Sequence, residues 1–354
     1  MQVLYLFSVI GNFWSAVWPY LVAVLAFLFM IFIHEFGHFI AAKLMGVRVN
    51  EFAIGFGPTL FKKQGKETLY AVRLIPFGGF CAMEGEDEES GDSKAFCNKK
   101  AWRRLIIIVA GAFMNLVFGF ILVMCTLAPA NRYITTTVHS FHEENSMSQQ
   151  SGLAAGDKIV EINGRHVYSI NDLSYCLSNV EGDTLAMTVE RSGRDILLDV
   201  KFETEVKEGI NLVDIDFYLD TEEKTLSSFL RQSFTRTVSY GRVVWFSLVD
   251  LVTGKYGISA MSGPVGVTDA IATVAKMGIL DLLPVVALIT INLGIFNLLP
   301  IPALDGGRAF FLLIEMIIRK PIPKKFEGMV HGIGLAVLLL FMALITVKDI
   351  WGFF

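Results

Sequence analysis

Apolar positions in this chain occur as long runs in some segments and as short alternating stretches in others. The first long run is 18–44, where Trp18 to Ile33 is apolar apart from Pro19. Further runs follow at 105–128, where Gly111, Ala112, Asn115 and Gly119 give a small-residue face for close helix packing, and at 280–318 and 328–347. About 20 apolar residues rising about 1.5 Å each cross a hydrocarbon core about 30 Å thick, so each run predicts a membrane-spanning helix. The 280–318 run is too long for one straight helix and is interrupted at Pro300, Pro302, Gly306 and Gly307. Non-helical backbone is therefore expected at membrane depth, where protein or a wet cavity must shelter it. Residues 1–16 are apolar and either extend the first span or lie on the membrane surface.

Between the first two runs the period changes. Val47, Val49, Leu69, Ala71, Arg73 and Ile75 sit in alternating, β-prone stretches on either side of Lys63-Gln64-Gly65-Lys66, a turn signal. Gly55-Phe56-Gly57-Pro58 and Pro76-Phe77-Gly78-Gly79-Phe80 are flexible and apolar, so the reading is a β-hairpin dipping against the membrane. Residues 84–92 are acidic and are expected to be a solvated loop.

Residues 129–225 are of a different character, with eight Lys and Arg against eighteen Asp and Glu between Arg132 and Lys224. This predicts a soluble, acidic α+β domain. Gly156-Asp157 turns the chain into a strand with Ile159 and Ile162 inward, and Asn163-Gly164 closes a tight hairpin turn. In 226–260, Phe229, Leu230, Phe234 and Val238 recur near helical spacing with Arg231, Arg236 and Arg242 between them, as in an interfacial helix. The expected organisation is thus 1–46 (first span), 47–98 (hairpin and acidic loop), 99–128 (second span) and 129–225 (soluble domain). An amphipathic surface segment at 226–279, a broken third span at 280–320 and a basic loop with the fourth span at 321–354 complete it.

Composition agrees with a polytopic membrane protein carrying a soluble part: 53% of residues are hydrophobic and 18% charged. A net charge of −4, without a basic stripe carrying aromatics, argues against nucleic acid as a partner. Cys81, Cys97, Cys125 and Cys176 form no CxxC, so no disulfide framework is expected. The N-terminus lacks a basic region, so a cleavable signal peptide is not expected. Basic residues cluster in 43–104 and 319–325, which places those loops in the cytoplasm and the N-terminus, acidic domain and C-terminus outside.

The chemistry sits where charge is least welcome. His34-Glu35-Phe36-Gly37-His38 lies inside the first run, and no Lys, Arg, Asp, Glu or His precedes it. Two histidines four apart on a helix share a face and can reach one metal ion, and Glu35 beside them can deprotonate a metal-bound water. Ionisable residues in a span are costly, so function is the default reading. By the charge bias, this site lies near the cytoplasmic side. A catalytic zinc needs a third protein ligand. His139, His142 and His166 fall on the other side and His331 near the start of the last span, which leaves Asp305, at the break in the third span, as the better candidate. Two histidines and a carboxylate with an open position favour zinc. A metal transporter would need more spans lining a conduit, and an inactive adaptor would not keep all four residues.

His34 to His38, HEFGH, and Asn297 to Gly307, NLLPIPALDGG, resemble the HExxH and NxxPxPxLDG motifs of the site-2 proteases, a family of intramembrane zinc metalloproteases. The Gly55-Phe56-Gly57 and Pro76-Phe77-Gly78-Gly79 region makes the regulator-of-sigma-E protease branch of bacteria the nearest likeness. The resemblance implies zinc held by His34, His38 and Asp305, Glu35 as general base, and Asn297 in substrate positioning. It also implies a bacterial inner-membrane enzyme cutting single-span membrane proteins already trimmed by a site-1 protease, such as anti-sigma factors or signal-peptide remnants. Gly55, Phe56 and Gly57 are the expected substrate-contacting residues of the hairpin. Residues 151–164, followed by Val167, resemble the GLxxGDxIxxINGxxV pattern of PDZ domains; one such unit is read, either binding a peptide or excluding bulky substrates.

Overall fold

The computed structural model describes residues 2–86, 88–178, 180, 182–207, 210–255 and 261–352. Asp87 of the acidic loop and residues 256–260 of the amphipathic segment lie outside the described residues. In chain order the elements are α1 (Gln2–Leu44), β1 (Val49–Gln64), β2 (Leu69–Met83), α2 (Ala101–Leu127), β3 (Arg132–Phe141) and α3 (Met147–Gln150). Next come β4 (Lys158–Ile162), β5 (Arg165–His166), α4 (Ile170–Leu177), β6 (Thr184–Arg191), β7 (Arg194–Lys201), β8 (Glu203–Lys207) and β9 (Ile210–Asp214). The last are β10 (Phe217–Glu223), α5 (Leu226–Val252), α6 (Pro264–Ala275), α7 (Ile279–Leu298), α8 (Asp305–Ile318) and α9 (Lys324–Trp351). They form two units, Met1–Leu122 with Tyr256–Phe354, and Val123–Lys255.

In the first unit, four helices among the described residues are long and apolar enough to cross a membrane: Phe13–Leu44 within α1, then α2, α7 and α9. Residues 2–16 continue α1 as helix ahead of and into this first span. The third run divides where expected. Pro300 and Pro302 lack N–H donors, so the helix stops at Leu298 and restarts at Asp305. The small-residue face of α2 does bring helices close: a Cβ added to Gly294 of α7 would stand 3.0 Å from the Ala112 carbonyl oxygen.

β1 and β2 form the expected hairpin, but its turn lies two residues later than the sequence signal, with the Gly65 N–H donating to the Thr68 carbonyl at 2.8 Å. Both strands also fold back on themselves. Gly55, Gly57 and Gly78 have φ of 83°, 82° and 83°, a left-handed region open mainly to glycine. Ala53 consequently pairs with both Phe80 and Ala71. Val49, Phe52 and Cys81 pack into one cluster with Ala41, Ile107 and Leu312, whereas Phe56, Leu60, Phe61, Leu74 and Ile75 are exposed. The acidic loop is not merely solvated, contrary to expectation. Glu86 pairs with Arg308, Asp92 with Arg48 at 2.9 Å, and Glu84 accepts from Asn50 at 2.8 Å. Each of these carboxylates lies within reach of a donor that the sequence separation hides.

The second unit has a sheet in the order β10-β3-β4-β6-β7, with β5 paired to β4. Its core includes Leu153, Ile159, Ile162, Leu173, Met187 and Phe202, so Ile159 and Ile162 do point inward. Asn163 and Gly164 have φ of 48° and 76°, the backbone of a two-residue hairpin turn, and Ile162 pairs with Arg165 across it. Asp157 is fully buried; it accepts the Ala154 N–H at 2.8 Å and holds Arg191 at 2.6 and 2.7 Å. All four cysteines are free, and burial pushes the Cys176 thiol up to about 11.

Helix α5 is amphipathic in an inverted sense. Its polar face, with Ser228, Ser233, Ser239 and Asp250, is buried, while Leu226, Leu230, Phe234, Trp245 and Val252 are exposed. Asp250 receives Arg165 at 2.5 and 3.0 Å and the Tyr175 hydroxyl at 2.8 Å, and Arg242 lies over the Tyr168 ring at 4.3 Å. Burial pushes the Asp250 carboxyl up, but Arg165 and Tyr175 outweigh it and hold it below the usual range. Such a group stabilises the fold above its ordinary pKa and loses that contribution as pH falls through the depressed value. Asp250→Ala should cost about 3–5 kcal/mol, because Arg165 is left unpaired beside aromatic rings. Hydrogen exchange of the 240–252 amides checks this: protection falls in the variant at neutral pH.

Candidate metal centre

Histidines four apart project from one side of α1, and the structure places both against the first residue of α8. His34 Nε2 and His38 Nε2 lie 3.0 and 3.2 Å from Asp305 Oδ2 and 3.2 Å from each other. Both rings are buried, at 9% and 8% exposure. Oδ2 of Asp305 is buried and has no hydrogen bond of good geometry, so three lone-pair atoms converge on one point. Ligands around a tetrahedral zinc at about 2.0–2.1 Å are about 3.3 Å apart, and these spacings fit that arrangement. His34, His38 and Asp305 form a potential metal-binding site.

The orientation of each imidazole is fixed by α2. His38 Nδ1 lies 2.8 Å from the Ile107 carbonyl oxygen, to which it donates, leaving Nε2 free as a ligand. His34 Nδ1 stands 3.3 Å from the side-chain amide of Asn115, which is fully buried and whose Oδ1 has no partner. Rotating that amide by a half-turn exchanges its two similar ends and lets Oδ1 accept the Nδ1–H, which satisfies both groups. Close helix approach makes this possible. A Cβ on Gly37 would stand 2.4 Å from the Ala110 carbonyl oxygen, and one on Gly111 would stand 2.2 Å from His38 Nε2.

Asp305 depends on an equally tight turn. A Cβ on Gly306 would stand 2.1 Å from the Leu299 carbonyl oxygen, and one on Gly307 would stand 2.5 Å from that of Ile301. The two glycines therefore let α8 begin directly against the break. Glu35 is half-buried beside His34, and its carboxylate feels His34, His38, Asp305 and Glu86 electrostatically. On its other side runs β2: a Cβ on Gly79 would be 3.2 Å from Glu35 Cγ.

The remaining expected site residues are spread more widely. Asn297 is half-buried in the last turn of α7 and, among the described residues, makes no hydrogen bond to the three ligand candidates. Gly55, Phe56 and Gly57 form the bend of β1, where Phe56 stacks with Phe80 at 6.3 Å and is 47% exposed.

Residues 22–341 match the description of peptidase family M50. The chain belongs to that family. A candidate zinc metalloprotease of Clostridium perfringens is 39% identical over 329 residues, covering 93% of this chain and 97% of that protein. Its counterpart in Clostridium acetobutylicum is 37% identical over 330 residues, covering 93% and 96%. The regulator of sigma-W protease RasP of Bacillus subtilis is 31% identical over 411 residues, covering 92% of this chain and 96% of its own. This M50 protein is a zinc metalloprotease of the site-2 type.

Sequence reasoning missed Asn115 as a partner of the M50 site and read it only as part of a packing face. The available signal was an amide in a long apolar run, where a polar side chain needs a partner. Asn115→Leu should weaken zinc retention about 10–100-fold by freeing the His34 ring. Competition with a chelator, followed by metal analysis of the protein, measures this.

Proposed function

We propose that the chain cuts single-span membrane proteins within the bacterial inner membrane, after a site-1 protease has removed most of their external part. The observation that carries this reading is the convergence of His34 and His38, with Glu35 alongside, on Asp305 of α8, the histidines lying in a helix apolar enough to cross a membrane. Anti-sigma factors and signal-peptide remnants are the substrate classes that fit. Zinc, when bound, supplies Lewis acidity that polarises the scissile carbonyl and acidifies a water. In this reading His34, His38 and Asp305 hold the ion. Glu35 is the general base: its carboxylate takes the proton from the attacking water and passes it to the leaving amine.

A helical substrate keeps its amides in internal hydrogen bonds and must unwind before its backbone can be attacked. The Gly79–Met83 part of β2 offers an edge for this, since it passes Glu35 and already pairs on one side with Val49–Ile54. An unwound substrate adding to that edge would have its backbone hydrogen bonds replaced one for one. Gly55, Phe56 and Gly57 would shape the hairpin around it, and Asn297 would position the substrate near the break in the third span.

The second unit is read as a single PDZ domain on the outer side of the membrane, with the metal site near the cytoplasmic side. The inward Ile159 and Ile162, the buried Asp157 and the Asn163-Gly164 turn support the PDZ reading. The basic loops at 43–104 and 319–325 support the orientation. Such a domain either binds the new end of a trimmed substrate or keeps out proteins that still carry a bulky external part.

Purified protein in lipid vesicles, given a single-span substrate, should cleave it. Glu35→Gln should lower the rate by about 10²–10⁴-fold while zinc stays bound. His34→Ala should lose the metal, and a substrate with a folded external domain should resist until that domain is removed. Full cleavage by Glu35→Gln would refute the mechanism, and zinc flux without cleavage would point to a transporter.

A further inference from the structure

The break that delivers Asp305 contains a second anomaly, at Ala303. This residue has φ of 78°, in the left-handed region that side chains with a Cβ rarely adopt. Lying in the break between α7 and α8, its N–H has no helical partner. It finds one on α9, donating to His331 Nδ1 at 2.9 Å.

Other contacts join the same two parts of the chain. A Cβ on Gly307 would stand 3.1 Å from His331 Cε1, so the ring lies directly over the first turn of α8. The Phe311 ring, one turn further, is centred 5.7 Å from it. On α9 itself, Gly334 lies three residues beyond His331 on the same face. A Cβ on Gly334 would stand 2.3 Å from Pro302 Cβ and 3.0 Å from the Pro302 carbonyl oxygen. Helix α9 thus grips the break at Pro302 and Ala303 and covers α8 at Gly307.

The hydrogen-bonding pattern of the imidazole is informative. Nδ1 accepts, so the ring proton sits on Nε2, and Nε2 is buried without a partner. A side chain kept for packing alone would not need to bury an unsatisfied N–H. The one bond the ring makes is to a residue two positions before Asp305, in a turn whose backbone angles set the direction of the Asp305 side chain.

We propose that His331 is a positioning residue for the metal site: by accepting the Ala303 N–H, it fixes the left-handed turn that aims Asp305 at His34 and His38. This rests on the reading of Asp305 as the third zinc ligand. His331 does not touch the ion; it acts through the turn. The geometry also separates an acceptor role from a packing role. An Asn side chain carries Oδ1 where His carries Nδ1, a Gln side chain carries its acceptor nearer the Nε2 position, and a Leu fills the volume with no acceptor.

The test is zinc transfer from the purified full-length protein, in detergent, to a chromophoric chelator. His331→Leu should release zinc about 10–100-fold faster than the wild type. His331→Asn should stay close to the wild type, and His331→Gln should behave like Leu. Equal loss by Asn and Leu would overturn the proposal in favour of packing, and wild-type retention by Leu would overturn it outright. Asp305→Ala serves as the reference: if that variant keeps its zinc as tightly as the wild type, the ligand assignment fails instead. Should His331→Leu not fold, as judged by the thermal midpoint of the zinc-free protein, the comparison of Gln with Asn decides in the same way.

Discussion

Two imidazoles and a carboxylate share one small space between apolar helices, and most of the surrounding architecture follows from keeping them there. Outside a metal site such groups would have to be neutral or paired, because desolvation penalises each of them. Here their ligand atoms stand 3.0–3.2 Å apart, an arrangement suited to a single ion. Holding it requires α1 and α2 to approach more closely than side chains usually permit. Gly37 and Gly111 allow that approach, and the Ile107 carbonyl and Asn115 then orient the rings.

The same demand explains the irregular backbone of the third span. A straight helix through 280–318 would present Asp305 only as its helical phase dictated. Breaking it at Leu299–Leu304 makes Asp305 the first residue of a new helix, free to be aimed. The break exposes backbone groups that lipid cannot satisfy. Part of the need is met within it, by Ile301 N–H to the Leu299 carbonyl and Leu304 N–H to the Ile301 carbonyl, and part by His331. Glycines at 306 and 307 remove the side chains that would otherwise collide with the carbonyls of the break.

The β1–β2 hairpin brings Gly79 against Glu35 and leaves an apolar outer face, while its acidic continuation is tied by Glu86 to Arg308, three residues beyond Asp305. In the second unit, α5 turns its serines and Asp250 inward and its Leu, Phe and Trp side chains outward. Asp250 is met there by Arg165 and Tyr175, and Ser239 by Ser169, which lets a charged helix face serve as a packing face.

The number and position of the apolar helices, the hairpin, the Asn163-Gly164 turn and the three ligand candidates were legible in the amino-acid order. Each depends on local composition or on a fixed spacing: hydrophobic length, alternation, a turn dipeptide, or histidines one helical turn apart. The acidic loop was misread as merely solvated because Glu86 and Arg308 are more than two hundred residues apart in sequence, and no local pattern encodes their meeting. Asn115 and His331 escaped for the same reason; one looked like a packing residue and the other like a failed ligand. The sequence by itself determined which groups could bind a metal and which segments could enter a membrane. Only the tertiary structure decided how those groups are oriented, because orientation comes from hydrogen bonds and contacts made between helices far apart in the chain.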